Sequence, residues 1–137
     1  MTAPKIFLDS NILLYLMDKD VEKKLIIMSI LSPTFMISTQ VISENVNTCL
    51  RKFKLSKKEA FGYGKKLISI LSVKNISTTT IEKAFIISEK YNYSYWDSLI
   101  IATALENGCD ILYTEDLTDG QIIEKKLKVV NPFKNLG

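Results

Sequence analysis

Four acids, Asp9, Glu44, Asp97 and Asp116, are the residues of this sequence best placed to do chemistry. Each also has an ordinary structural role open to it. Asp9 can cap a helix, Glu44 and Asp97 can sit at the positive end of a helix dipole, and Asp116 can belong to a turn. Ser94-x-x-Asp97 resembles a capping box with Asp in place of Glu. Together the four ask for more, because carboxylates that converge repel and raise one another's pKa. A hard divalent cation such as Mg²⁺ or Mn²⁺, which favours oxygen ligands, relieves that repulsion.

Composition narrows the alternatives. The 137 residues include no histidine, which removes Ser-His-Asp and Cys-His nucleophiles, imidazole acid–base pairs and His-rich zinc sites. The two cysteines, Cys49 and Cys109, cannot build a structural zinc cluster by themselves, and both lie in apolar helical stretches as small hydrophobes. The N-terminus lacks a signal-peptide pattern, and no run reaches the roughly 18 apolar residues of a membrane span. The expectation is a soluble, cytoplasmic protein with no membrane partner.

The acids must be positioned by alternating strands and helices. Lys5-Ile6-Phe7-Leu8 reads as a buried strand ending at Asp9, with Asn11–Leu16 as a helix capped by Asp9 or Ser10. A helix over Val21–Leu31 stops near Pro33. Phe35–Ser38 is the next strand, and Val41 to Phe53 a helix carrying Glu44 in its first turns. Ser56-x-x-Glu59 and Thr79-x-x-Glu82 have capping-box spacing, opening helices to about Leu71 and Tyr91 around a short edge strand at Ser72–Ile76. Trp96–Leu105 is a nearly all-apolar helix ending at Gly108; Asp110–Tyr113 and Leu127–Val130 are strands, with Asp119-Gly120 a turn. Strands separated by helices imply a mostly parallel sheet of about five strands in one α/β/α domain over residues 1–137. In such sheets ligands bind beyond the carboxyl ends of the strands, where these readings place all four acids.

The segments Ile6-Phe7-Leu8-Asp9-Ser10-Asn11-Ile12-Leu13, Ser43-Glu44, Tyr95-Trp96-Asp97-Ser98-Leu99-Ile100 and Tyr113-Thr114-Glu115-Asp116-Leu117 resemble the PIN-domain nucleases. They follow the family's order, the acids being spaced by 35, 53 and 19 residues, and the resemblance spans Ile6 to about Phe133. It implies a PIN-like fold and a metal-dependent ribonuclease similar to the VapC-like toxins of toxin–antitoxin pairs. It further implies Asp9 and Asp97 as main Mg²⁺ ligands. Glu44 and Asp116 would ligate directly, act through water or complete a second metal site. Asn11 and Thr114 match supporting polar positions. A small antitoxin protein and a homodimer are the partners the family implies, with RNA as substrate.

Charge distribution bears on that substrate. The net charge of +3 is too mild to argue for nucleic acid, but Arg51–Lys66 holds seven basic residues against one acid. Cations there would hold a phosphate backbone, and Phe53, Phe61 and Tyr63 could stack on bases. A solvated helix face with core aromatics is the plainer alternative. Ile26, Ile27, Ile30 and Leu31 are either core or an antitoxin or dimer surface, and the aromatics Tyr91, Tyr93, Tyr95 and Trp96 suit packing better than stacking.

Two other function classes are open. A phosphoaspartate phosphatase or receiver domain also places an Asp after an early strand. The phosphatase motif wants an Asp at position 11, which is Asn, and a receiver wants an acidic pair where Leu8-Asp9-Ser10 offers one acid. A non-catalytic PIN-like RNA-binding module would be expected to lose some of the four acids, and none is missing.

Overall fold

Ile6-Phe7-Leu8 forms β1, and its apolar residues are buried on both faces, the pattern of a strand in a parallel sheet covered by helices. β1 is central: it pairs in parallel with β2 (Met36–Ser38) and with β4 (Ile111–Tyr113). The computed structural model describes residues 3–134. Its single sheet has the order β3-β2-β1-β4-β6-β5, with β3 at Ser72–Lys74, β5 at Ile122–Ile123 and β6 at Leu127–Val130.

All pairings are parallel except β5 with β6. The sheet therefore has six strands and is mixed, one strand more than the periodicity predicts. The extra strand β5 is two residues long, too short to leave an alternation in the sequence. From β1 the chain winds outward one way through β2 and β3, then resumes on the other side with β4. Such a reversal opens a crevice at the strands' carboxyl ends, here between β1 and β4.

The helices form where their caps dictate. α1 (Ser10–Leu13) is capped by Asp9 and runs into a 3-10 turn at Leu14–Leu16. α2 (Val21–Ile30) is capped by Asp20 and stops before Pro33. α3 (Thr39–Arg51) starts on the Ser38 side chain, and α4 (Lys57–Ile70) opens with the predicted Ser56/Glu59 capping box. α5 (Thr78–Tyr91) corrects the sequence reading: its box is Ser77 with Thr80, not Thr79 with Glu82. The Thr80 hydroxyl takes the part expected of a carboxylate, accepting from Ser77 N at 3.3 Å.

α6 (Tyr95–Glu106) buries every residue from Ser98 to Ala104, which accounts for its nearly continuous apolar sequence. Gly108 follows it at φ +71°, a left-handed turn that glycine adopts without a steric penalty. The core joins Phe7, Leu8, Ile12, Ile37, Ile101 and Leu112, with Cys49 and Cys109 inside it as free thiols. Among the described residues, no helix is long and apolar enough to cross a membrane.

Candidate active site

The pairing of β1 with β4 sets Leu8 opposite Tyr113, so the residues that follow, Asp9 and Thr114, leave the sheet side by side. Asp9 N donates to Tyr113 O at 3.0 Å, fixing the backbone at the crevice. The Asp9 side chain is buried and accepts two hydrogen bonds: Oδ1 from Ser10 N at 2.7 Å and Oδ2 from the Thr114 hydroxyl at 2.8 Å. It is thus the helix cap of the plainer reading and also the innermost acid of the crevice. Burial pushes its pKa up to about 7, with the Asp97 and Glu44 charges adding to the rise and the two hydrogen bonds opposing it.

Asp97 and Asp116 close on Asp9 from two other elements. Asp97 lies in the first turn of α6, where its N–H donates to the capping Ser94 hydroxyl at 3.1 Å. Its pKa is raised by burial, lowered by the Ser94 hydrogen bond, and raised again by the nearby Asp116 charge. Asp116 is exposed in the loop after β4, and its N–H donates to Thr114 Oγ1 at 3.2 Å. One carboxylate oxygen from each of Asp9, Asp97 and Asp116 lies within 4.8 Å of the other two.

Glu44 stands beside this trio rather than in it. It lines the same cleft, a cavity of about 230 Å³, from the second turn of α3. The Ser10 hydroxyl donates to its Oε1, and Gln40 Nε2 reaches Oε2 at 3.5 Å. Asn11 is a strut: Nδ2 donates to Thr114 Oγ1 at 3.2 Å and Oδ1 accepts from Glu115 N at 3.4 Å. The sequence names Ser10 only as a possible helix cap beside Asp9, with no role toward Glu44, and does not single out Gln40. The available signals were adjacency to Asp9 and the i, i+4 spacing of Gln40 and Glu44.

The donor set fits a hard divalent cation. It is made of carboxylate oxygens from three chain segments, and one is buried deeply enough to hold a proton near neutrality where no cation compensates it. Asp9, Asp97 and Asp116 would hold the ion, and Glu44 lines the same cleft outside that trio.

The surroundings sort the remaining candidates. All seven cations of Arg51–Lys66 are exposed, as is Phe61, and Phe53 is half-buried. Tyr63 is buried, its hydroxyl bonded to Leu13 O at 3.0 Å and Asn45 Oδ1 at 2.8 Å, so it is a core residue. Ile27 is also core, whereas Val21, Leu25 and Met28 are the apolar residues α2 exposes. Between α2 and α4 runs an apolar groove of about 730 Å³, lined by Leu16, Met17, Met28, Leu31, Leu67 and Ile70 among others.

No curated protein sequence matches the chain. Solved structures do. VapC20 of Mycobacterium tuberculosis, described as a sarcin-ricin loop cleaving toxin, superposes with TM-score 0.69 at 19% identity over 82% of this chain and 90% of its own. A toxin–antitoxin complex from Klebsiella pneumoniae gives 0.71 at 23% identity, covering 93% of this chain and 98% of that one. DNA-bound VapBC from Salmonella typhimurium gives 0.67 at 15% identity, covering 93% and 98%. At these identities the likeness is one of fold. The sequence profile of the PIN domain matches residues 6–118, a stretch that contains all four acids. The chain belongs to the PIN-domain family, and its fold is that of the VapC toxins.

Proposed function

We propose that this protein is a Mg²⁺-dependent endoribonuclease, the toxin of a toxin–antitoxin pair. The observation that carries the reading is the meeting of Asp9, Asp97 and Asp116 within 4.8 Å at the carboxyl edge of the sheet. A bound Mg²⁺ would supply an activated water and a counter-charge for the phosphodiester, chemistry that needs no histidine. Thr114 and Ser10 N hold Asp9 in one orientation while leaving each of its oxygens a lone pair for the ion. Ser94 fixes the start of α6 and with it Asp97. Glu44, held by Ser10 and Gln40, ligates directly, acts through water or completes a second metal site. The exposed cations of Arg51–Lys66 face solvent and suit a phosphate backbone.

The partner reading rests on the groove between α2 and α4, whose apolar lining suits the apolar face of a small antitoxin. Assembly as a homodimer in the cytoplasm completes it. RNA cleavage by the purified protein, with Mg²⁺ or Mn²⁺ and with EDTA, tests the core of the proposal. Cleavage should require the ion and vanish in Asp97→Asn and Asp9→Asn proteins that keep their circular dichroism. Activity that survives both chelation and substitution would overturn the nuclease reading, and stable labelling by acetyl phosphate would replace it with phosphoaspartate chemistry. Failure of calorimetry to detect a divalent ion would favour a non-catalytic RNA-binding module.

A further inference from the structure

A second cavity, of about 520 Å³, opens beside the acidic cleft and shares Glu44 and Trp96 with it. Its size falls in the range of small-molecule sites, about 300–1,000 Å³. One wall is polar and, apart from Glu44, uncharged: Thr39, Gln40, Ser43 and Asn47 of α3. The rest of the lining is apolar, made by Ile76, Trp96 and Leu99 from outside α3. We propose that this cavity is a nucleobase subsite, in which a base adjacent to the scissile phosphate stacks on Trp96 while Ser43, Asn47 and Gln40 read its edge. The proposal rests on the ribonuclease reading and names what that site recognises.

Four observations support it. Trp96 is 60% exposed although it is the largest aromatic side chain of the sequence, and it stands next to Asp97. Its ring is braced rather than loose: Tyr95 meets it edge-on at 5.0 Å, and Phe85 backs Tyr95 at 5.8 Å. A fixed, exposed indole is a stacking platform, and stacking one base on an aromatic ring tolerates any sequence. Gln40 donates Nε2 to Trp96 O at 3.1 Å, tying the two parts of the lining together, while its Oε1 is buried without a hydrogen-bond partner. Buried acceptors are rarely left unpaired, and Gln40 lines the cavity, so a modest turn of its amide would offer Oε1 to an N–H donor of a base edge.

The fourth observation concerns the path of the strand. Thr39, Ser43, Asn47 and Arg51 are all exposed and four residues apart, so they form one stripe along α3. The stripe runs from the cavity to the first cation of the basic tract. An RNA strand with its phosphate at Asp9 and Asp97 and a base against Trp96 would leave along that stripe toward Arg51. The lining offers amides and hydroxyls that can bond base edges, holds no lysine or arginine, and carries the acid Glu44, which disfavours a phosphate there.

Trp96 is the only tryptophan in the sequence, so its fluorescence reports on the wall that this cavity shares with the acidic cleft. The test titrates the full-length protein in EDTA with a short single-stranded RNA, and in parallel with an abasic oligonucleotide of equal length and charge. The RNA should quench Trp96 saturably and the abasic strand should not. Ser43→Ala and Asn47→Ala should each weaken the quenching about fivefold, the loss expected for one neutral hydrogen bond, and with Mg²⁺ should redistribute the mapped cleavage positions. No quenching by RNA, or equal quenching by the abasic strand, overturns the subsite. So does quenching on concentrating the protein without RNA, which would mean that a second copy covers Trp96. Cleavage without base-dependent quenching removes the subsite and spares the nuclease; base-dependent quenching without metal-dependent cleavage does the reverse.

Discussion

Thr114 Oγ1 donates to Asp9 Oδ2 at 2.8 Å, joining residues 105 apart in sequence at the ends of two adjacent strands. The same hydroxyl oxygen accepts from Asn11 Nδ2 at 3.2 Å and from Asp116 N at 3.2 Å. One buried side chain thus orients the innermost acid and anchors the loop that carries another.

Thr114→Val keeps the shape of that side chain and removes its hydrogen bonds. Asp9 then loses a donor that favours its ionised form, so its pKa rises further. A hydrogen bond to a charged group contributes roughly 1.5–3 kcal/mol, which corresponds to about a tenfold to hundredfold loss of Mg²⁺ affinity at neutral pH. Calorimetric titration of the ion across pH checks this. The affinity of the variant should recover as pH is raised, which a merely misfolded protein would not show.

The raised pKa of Asp9 also sets a pH dependence of stability. Its carboxyl holds a proton up to about pH 7 in the folded chain but releases it near its usual 3.8 when unfolded. Between those values the folded state binds more protons, so stability falls as pH rises through the window and levels off above it. At about 1.4 kcal/mol for each tenfold change in proton affinity, the fall amounts to roughly 4 kcal/mol. The raised pKa of Asp97 acts in the same direction. Urea unfolding in EDTA at pH 5 and pH 8 captures the part of the drop above pH 5, about 2.7 kcal/mol, which Asp9→Asn should largely abolish. Mg²⁺ competes with the proton and should stabilise the wild type more at pH 8 than at pH 5.

Most of the acidic site could be read from the chain because strand-end acids follow local patterns: an apolar run, then Asp9; a second run, then Thr114 and Asp116. The separation of Glu44 from the other three could not be read, since it depends on where α3 crosses the sheet. Between base stacking and core, Tyr63 proves to be core for a similar reason. It lies in a basic, exposed-looking stretch, yet helical phase turns its ring inward onto Leu13 and Asn45. Gln40 carries only its i, i+4 spacing to Glu44 in the sequence; its unpaired buried acceptor is a fact of packing with no sequence pattern.

A second brace holds the Asp116 loop from outside. Lys23 of α2 pairs with Glu115 Oε2 at 2.7 Å, Tyr15 donates to Glu115 Oε1 at 2.6 Å, and the ammonium lies 4.7 Å from the Tyr15 ring centroid. Glu115 sits between Thr114 and Asp116, so this contact links α2 to the acid cluster. The pair is partly exposed, and Lys23→Met should reduce stability by only about 0.5–1 kcal/mol. Its effect on RNA cleavage should be larger, several-fold in kcat, because Asp116 is freed to move. Thermal melts and single-turnover cleavage on the same samples separate the two effects, and equal proportional losses would exclude the link.

Two glycines of α4 should respond oppositely to the same substitution. A Cβ built on Gly64 would lie 2.8 Å from Val46 Cγ2, whereas one on Gly62 meets nothing within 4 Å. Alanine is favoured over glycine in a helix by about 1 kcal/mol, so Gly62→Ala should raise stability by that order. At Gly64 the added methyl must displace a β-branched side chain with little χ1 freedom, and such overpacking costs roughly 1–3 kcal/mol. Gly64→Ala should therefore be neutral to destabilising, by up to about 2 kcal/mol net. The pressure also has a direction. Val46 is two residues from Glu44 on α3, the helix that carries Gln40, Ser43 and Asn47. Pushing α3 away from α4 shifts that whole face relative to Asp9, so Gly64→Ala should lose cleavage activity beyond its loss of folded protein. Chemical denaturation combined with activity per folded molecule measures both, with Gly62→Ala as the matched control on the same helix.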